Sequence, residues 1–201
     1  MAPIPPPAPT RVLSREDGPL VWIDCEMTGL DPRKERLLEV ACVITDGDLR
    51  PVDKGVSYVI VTPPAVLAQM DAWCTSTHKE TGLTDACLAP DAPSHDDVRT
   101  ALLAYVLDRV PGKGDACLAG NTVHADKSFL VNEMPELVAH LHYRIVDVST
   151  IKELVRRWYG AERVWAPPRD AVRHRALDDI RGSIAELAFY RKTVFVDRVC
   201  T

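Results

Sequence analysis

The alternation of apolar and polar positions first becomes regular at Leu20 to Cys25, a short apolar run that ends against charge, as a central strand does where it reaches a site. Gly29 and Asp31-Pro32 break the chain after it. A second β-rich run covers Leu37 to Thr45, Asp46-Gly47-Asp48 makes a turn, and Val56 to Thr62 is a third strand. Three strands so close in sequence predict an antiparallel meander. Val66 to Gly82 reads as two short helices. Ser94 suits an N-cap, with Asp96 and Asp97 in the first turn. Val98, Leu102, Leu103, Val106 and Val110 then recur at the helical period. Ala116 to Ala119 predicts a fourth strand, closed by Gly120-Asn121, and a helix beginning near Asp126 carries Phe129, Leu130 and Met134. Tyr143 to Val148 is a fifth strand, after which Ser149 caps a helix holding Ile151, Leu154, Val155 and Trp158. Glu162 to Arg173, with Pro167-Pro168, is irregular. The last helix runs from about Ala176 to Lys192, with Leu177, Ile180, Ile184 and Leu187 on one face. A meander followed by alternating helix and strand places the chain in the α/β class, as a mixed five-stranded sheet flanked by helices. No repeat or internal boundary divides residues 19–201, which are expected to form one domain. Residues 1–18 are Pro-rich and are expected to be a flexible tail.

Composition narrows the function more than the fold. A formal net charge of -5 over 201 residues disfavours a protein that coats long nucleic acid, which needs a broad basic surface. It leaves room for a pocket taking a few nucleotides, and clustered acids that hold cations would themselves push the total negative. No apolar run reaches the ~20 residues that span a bilayer, so no membrane insertion is expected. Cys25, Cys42, Cys74, Cys87, Cys117 and Cys200 include no C-x-x-C pair and read as small core residues of a reducing compartment. The leader has no apolar stretch of the secretory kind, and Glu16 and Asp17 soon follow Arg11 and Arg15, unlike an acid-poor presequence. The expected location is intracellular, cytoplasmic or mitochondrial.

The candidate chemistry lies in carboxylates. Asp24 and Glu26 stand two apart at a strand end, so both face one side, and they repel unless a cation sits between them. Taken alone, such a pair also suits a solvated strand end. Asp126 falls at the start of a helix, where a plain cap is common. His174 precedes the last helix and Asp179 lies in its first turn; Asp178 competes with Asp179, one of the two serving only the helix dipole. Their order along the chain weighs more than any single piece. Four carboxylates and a histidine could hold two divalent cations, Mg²⁺ or Mn²⁺, ~4 Å apart for phosphodiester hydrolysis. His174, with an ordinary pKa of ~6.5, suits a general base at neutral pH.

Four segments carry a resemblance: Trp22–Asp31 (WIDCEMTGLD), Gly120–Leu130 (GNTVHADKSFL), His142–Thr150 (HYRIVDVST) and His174–Ile180 (HRALDDI). In this order, and over about residues 20–195, they resemble the signature blocks of the oligoribonuclease family. That family belongs to the DEDDh exonucleases, with a ribonuclease H-like fold. The resemblance implies a 3′→5′ exoribonuclease that converts short single-stranded RNA, especially dinucleotides, to nucleoside 5′-monophosphates. It assigns metal binding to Asp24, Glu26, Asp126 and Asp179, makes His174 the general base, and leaves Asp178 as a neighbour. It further implies a homodimer with a closed pocket for two nucleotides. Leu30 would wedge against the bases and Trp73 would stack on them, a contact worth ~1–3 kcal/mol per base; without the family, Trp73 would pass for a core aromatic. His78 resembles a residue near the scissile end. Tyr143, Arg144, Ser149 and Thr150 resemble the group that caps a 5′ phosphate from the partner subunit, which suits an arginine fork and hydroxyls at a helix start. Thr122 keeps a hydroxyl where the family often has serine. Cys25 departs from the usual leucine but faces away from the acids. Two other readings remain: a DEDDh exonuclease acting on longer RNA or DNA ends, which would not share Trp73, His78 or the 143–150 block, and a non-catalytic module, which would have lost one of the five catalytic positions.

Overall fold

The computed structural model describes residues 4–166 and 175–195. Within them the chain forms β1 (Leu20–Met27), β2 (Leu37–Thr45), β3 (Val56–Val59), α1 (Pro64–Leu67), α2 (Ala72–Glu80), α3 (Leu83–Cys87), α4 (His95–Arg109) and β4 (Cys117–Gly120). These are followed by α5 (His124–Glu133), α6 (Pro135–His140), β5 (His142–Asp147), α7 (Val148–Tyr159) and α8 (Ala176–Thr193). The five strands make one sheet in the order β3-β2-β1-β4-β5. The meander β1-β2-β3 is antiparallel, and β4 and β5 add in parallel on the other side of β1.

β1 therefore sits at the centre, with helices on both faces of the sheet. Its alternation sorts side chains between two cores. Val21, Ile23 and Cys25 pack with Val98, Leu102, Val106 and Phe129, while Trp22 packs with Ala41, Val43, Val155, Ile180 and Tyr190. By the same parity Asp24 and Glu26 continue the Trp22 face, the one that α7 and α8 cover. β2 is buried at every position, as expected of a strand enclosed on both faces.

Several local features differ from the sequence expectation. β3 stops at Val59, although the Ile60 N–H still donates to Leu38 O at 2.8 Å. Val66 to Gly82 holds two helices as expected, α1 opening slightly earlier at Pro64, but a third, α3, follows directly after Gly82, which adopts a left-handed φ of 75° between α2 and α3, a conformation that costs a glycine little. Pro135 opens α6 directly after α5, since a proline at the first helical position loses no hydrogen bond. The cap of α7 is Asp147 and not Ser149: the Asp147 carboxylate accepts from the Ser149 N–H at 3.0 Å.

Part of the leader, expected to be a flexible tail, is held to the domain. Leu13 is buried, and its N–H donates to Arg109 O at 2.7 Å. The buried Arg109 guanidinium donates to Pro7 O at 2.7 Å and to Asp53 at 2.6 Å, and lies over the Tyr105 ring. The five described cysteines are all free thiols, four of them buried; Cys200 lies outside the described residues. So do residues 167–174, which include His174 and most of the expected irregular loop; before them Ala161–Arg163 form a short 3-10 turn. No described helix is long and apolar enough to cross a membrane.

Candidate active site

The end of β1 presents Asp24 and Glu26 toward the start of α8, whose first turn carries Asp179. One carboxylate oxygen from each of the three lies within 4.8 Å of the others. Asp178, the neighbour that competes for the role, accepts from Arg181 at 3.0 Å along the helix surface. Asp126 comes from the first turn of α5 and is buried. Its Oδ1 accepts from the backbone N–H of Cys25 at 3.0 Å. Pairing of β1 with β4 ends at Trp22 and Ala119, so this bond ties α5 to the part of β1 beyond that pairing, between the two acids. Asp126 is not within the 4.8 Å set.

Negative charge dominates the electrostatics of the cluster. Burial first, then Asp126, Asp179, Glu26 and Glu39, pushes the Asp24 carboxyl up to about 9. Burial, with Asp179 and Glu39, raises Glu26 to about 7, and Arg175 opposes the rise. Burial raises Asp126 to about 6 against the hydrogen bond from Cys25. Oxygen donors crowded in this way suit a hard divalent cation, which would favour the ionised forms.

The remaining predicted residues fall around this centre in different ways. His78, on α2, is 2% exposed; its Nε2 donates to Met27 O at 2.9 Å and its Nδ1 lies 4.0 Å from Glu26 Oε2. Leu30 and Trp73 are 85% and 66% exposed, so neither serves the core. Thr122, Ser149 and Asp147 form one network. The Thr122 and Ser149 hydroxyls are 3.0 Å apart, the Asp147 Oδ1 accepts from the N–H of both residues, and Ser149 Oγ donates to Asn121 Oδ1 at 3.0 Å. The Asp147 bond holds Thr122 at a left-handed φ of 55°, which L side chains rarely adopt. Tyr143 and Arg144 are exposed on the edge strand β5, with the guanidinium 5.2 Å from the Tyr143 ring, and Thr150 is exposed in the first turn of α7. His174 lies outside the described residues.

Two residues escape a reading by sequence motif. Glu39 is buried in β2 and is gripped by Arg175, whose Nε and Nη2 each donate to one carboxylate oxygen at 3.1 Å. Its signal in the sequence is a lone carboxylate inside an apolar strand, LLEVACVIT. Asn121 donates to Ser183 and Glu186 of α8 at 2.9 and 3.1 Å; its turn position after a strand gives no hint of that tie.

A ribonuclease H-like sheet with acids gathered at the end of its central strand defines a nuclease, and the family model described as Exonuclease matches residues 21–187. A probable oligoribonuclease of Schizosaccharomyces pombe is 49% identical over 179 residues, covering 89% of this chain and 69% of the relative. The mitochondrial oligoribonuclease of Homo sapiens is 46% identical over 180 residues (90% and 75%), and the oligoribonuclease of Rhodococcus jostii 45% over 178 residues (88% of each). The chain belongs to the exonuclease family, among the oligoribonucleases, and is a 3′→5′ exoribonuclease. Among solved structures, an exonuclease I from Methylocaldum szegediense aligns with TM-score 0.67 at 18% identity, covering 88% of this chain and 41% of that one. Exonuclease I of E. coli in complex with a dA16 oligonucleotide aligns with TM-score 0.66 at 14% identity, covering 87% and 41%. The chain spans about two fifths of these exonucleases, and the likeness concerns the fold.

Proposed function

We propose that this exoribonuclease acts on the shortest RNA, above all dinucleotides, releasing nucleoside 5′-monophosphates with the help of two divalent cations, Mg²⁺ or Mn²⁺. Asp24, Glu26, Asp126 and Asp179 hold the cations in this reading. Its main support is the convergence of three carboxylates within 4.8 Å, with Asp126 bonded to the backbone between two of them. Divalent cations bound among such acids supply Lewis acidity toward water and phosphate. His174, one residue before the anchored Arg175, takes the proton of the attacking water. His78, fixed by its bond to Met27 O beside Glu26, borders the scissile end.

The length preference rests on what can grip the bases and what closes the far end. Exposed Leu30 and Trp73 offer an apolar edge and a stacking face for about two bases. Tyr143, Arg144, Ser149 and Thr150, with Thr122 beside Ser149, gather charge and hydroxyl donors for a terminal 5′ phosphate. Their display on an edge strand and the helix after it suits a homodimer in which each protomer caps its partner's pocket. The exposure of Trp158 and Tyr159 on α7 supports the same arrangement. Residues 19–201 act as one domain in this reading, in the cytoplasm or in mitochondria, the compartment named for relatives from Bos taurus and Homo sapiens.

A competition among RNAs of two, four, seven and twenty nucleotides in Mn²⁺ tests the proposal. The dinucleotide should be consumed first. Equal or faster loss of the longest strand would favour an exonuclease acting on longer ends.

A further inference from the structure

An ion pair between the buried Glu39 and the half-exposed Arg175, next to the acidic cluster, has a place in the reaction that the ligand set alone does not give it. Glu39 lies directly opposite Glu26 in the β1–β2 register and is 1% exposed. Facing like charges on adjacent strands are destabilising, and a buried carboxylate is costly unless it is paired and fully hydrogen-bonded. An apolar residue at this position would serve packing better. Glu39 is instead fully engaged: both oxygens accept from the Arg175 fork at 3.1 Å, and Oε1 also accepts from Ser57 Oγ at 2.6 Å.

The other end of that arginine leads into the site. Arg175 is the residue on which α8 begins, and its side chain turns to Glu39 rather than capping the helix. Its own carbonyl accepts from the N–H of Asp178 at 2.9 Å and of Asp179 at 3.1 Å. A short path therefore runs from the β2 backbone through Glu39, the guanidinium and the Arg175 carbonyl to the Asp179 backbone. Of its two non-covalent links, one is a bidentate pair anchored on the buried Glu39 and the other is a backbone hydrogen bond.

We propose that Glu39 and Arg175 are positioning residues, a bidentate tie that fixes where α8 starts over β2 and so sets Asp179 against Asp24 and Glu26. The inference rests on the reading of Asp179 as a metal ligand. Ties behind a metal ligand typically change metal affinity by ~10–100-fold when lost.

The decisive variant is the double replacement Glu39→Leu with Arg175→Met. It removes one charge of each sign and puts an apolar side chain of similar volume at the buried Glu39 position, an exchange that often leaves stability unchanged or higher. Three quantities are measured: the thermal midpoint in EDTA, the calorimetric affinity of the protein for Mn²⁺, and the Mn²⁺ concentration that half-saturates dinucleotide cleavage. The expected result is a midpoint close to that of the parent, with affinity weakened and half-saturation raised ~10-fold or more. Arg175→Lys, which keeps the charge but loses the fork, should shift both in the same direction by less, and it decides the matter if the double variant does not fold. Unchanged Mn²⁺ affinity and half-saturation in the folded variant would overturn the tie. Asp179→Ala, run alongside, separates the two ideas: if it too leaves Mn²⁺ binding intact, the ligand assignment fails, and if it alone weakens binding, only the positioning role fails.

Discussion

At the scale of single residues, parity along β1 was enough to put Asp24 and Glu26 on one face, because a strand allows no other arrangement of positions two apart. The choice between Asp178 and Asp179 was not open to the same argument, since adjacent helical positions both fit a first turn. Packing separates them: Asp178 turns to Arg181, while Asp179 joins the cluster. Replacing Asp24, Glu26, Asp126 or Asp179 by Ala should abolish dinucleotide hydrolysis while circular dichroism stays that of the parent; near-parental turnover in any one of them removes that residue from the set. Asp178→Ala should cost far less than Asp179→Ala. The raised carboxyls also predict a pH dependence. Asp24 near 9, Glu26 near 7 and Asp126 near 6 hold protons in the metal-free fold that the unfolded chain releases near 4. Their contribution to metal-free stability is therefore present at low pH and is lost as pH rises through these values. A cation replaces those protons, so the gain in thermal midpoint on adding Mn²⁺ should widen from pH 5 to pH 9. A gain independent of pH would show that the acids are already ionised without metal.

At the scale of elements, long apolar runs were legible and junctions were not. β2 is readable at both ends because both its faces are buried, and the α4 face appears in the spacing of Val98, Leu102 and Val106. α6 is hidden because Pro135 follows α5 at once, and a proline reads equally as a stop and as a start. At the β5–α7 junction two cap candidates lie two residues apart, and Asp147 takes the role while Ser149 turns to Asn121 and Thr122. That junction is where the proposed 5′ cap belongs. Arg144→Ala should weaken binding of a 5′-phosphorylated dinucleotide by roughly the 1.5–3 kcal/mol of a charge-assisted hydrogen bond and flatten the preference for short RNA. Calorimetry with phosphorylated and unphosphorylated dinucleotides checks this: an equal loss for both would place Arg144 away from the phosphate.

At the scale of the whole molecule, the leader is where composition misled. Five prolines in ten residues suggest a segment with no packed structure, yet one leucine finds a pocket by the buried arginine of α4. Leu13→Ala should lower the free energy of unfolding by roughly 2–4 kcal/mol, read by urea denaturation, whereas a residue of a solvated tail would change it by about 0.5 kcal/mol or less. The order of the strands carries a different consequence. The clustered acids come from two elements far apart in sequence: Asp24 and Glu26 from β1, whereas Asp179 arrives only with α8. Synthesis along the chain completes all five strands before it reaches Asp179. A nascent chain that already has its whole sheet, surrounded by messenger and ribosomal RNA, therefore still lacks the last acid of the cluster: a platform without a working blade.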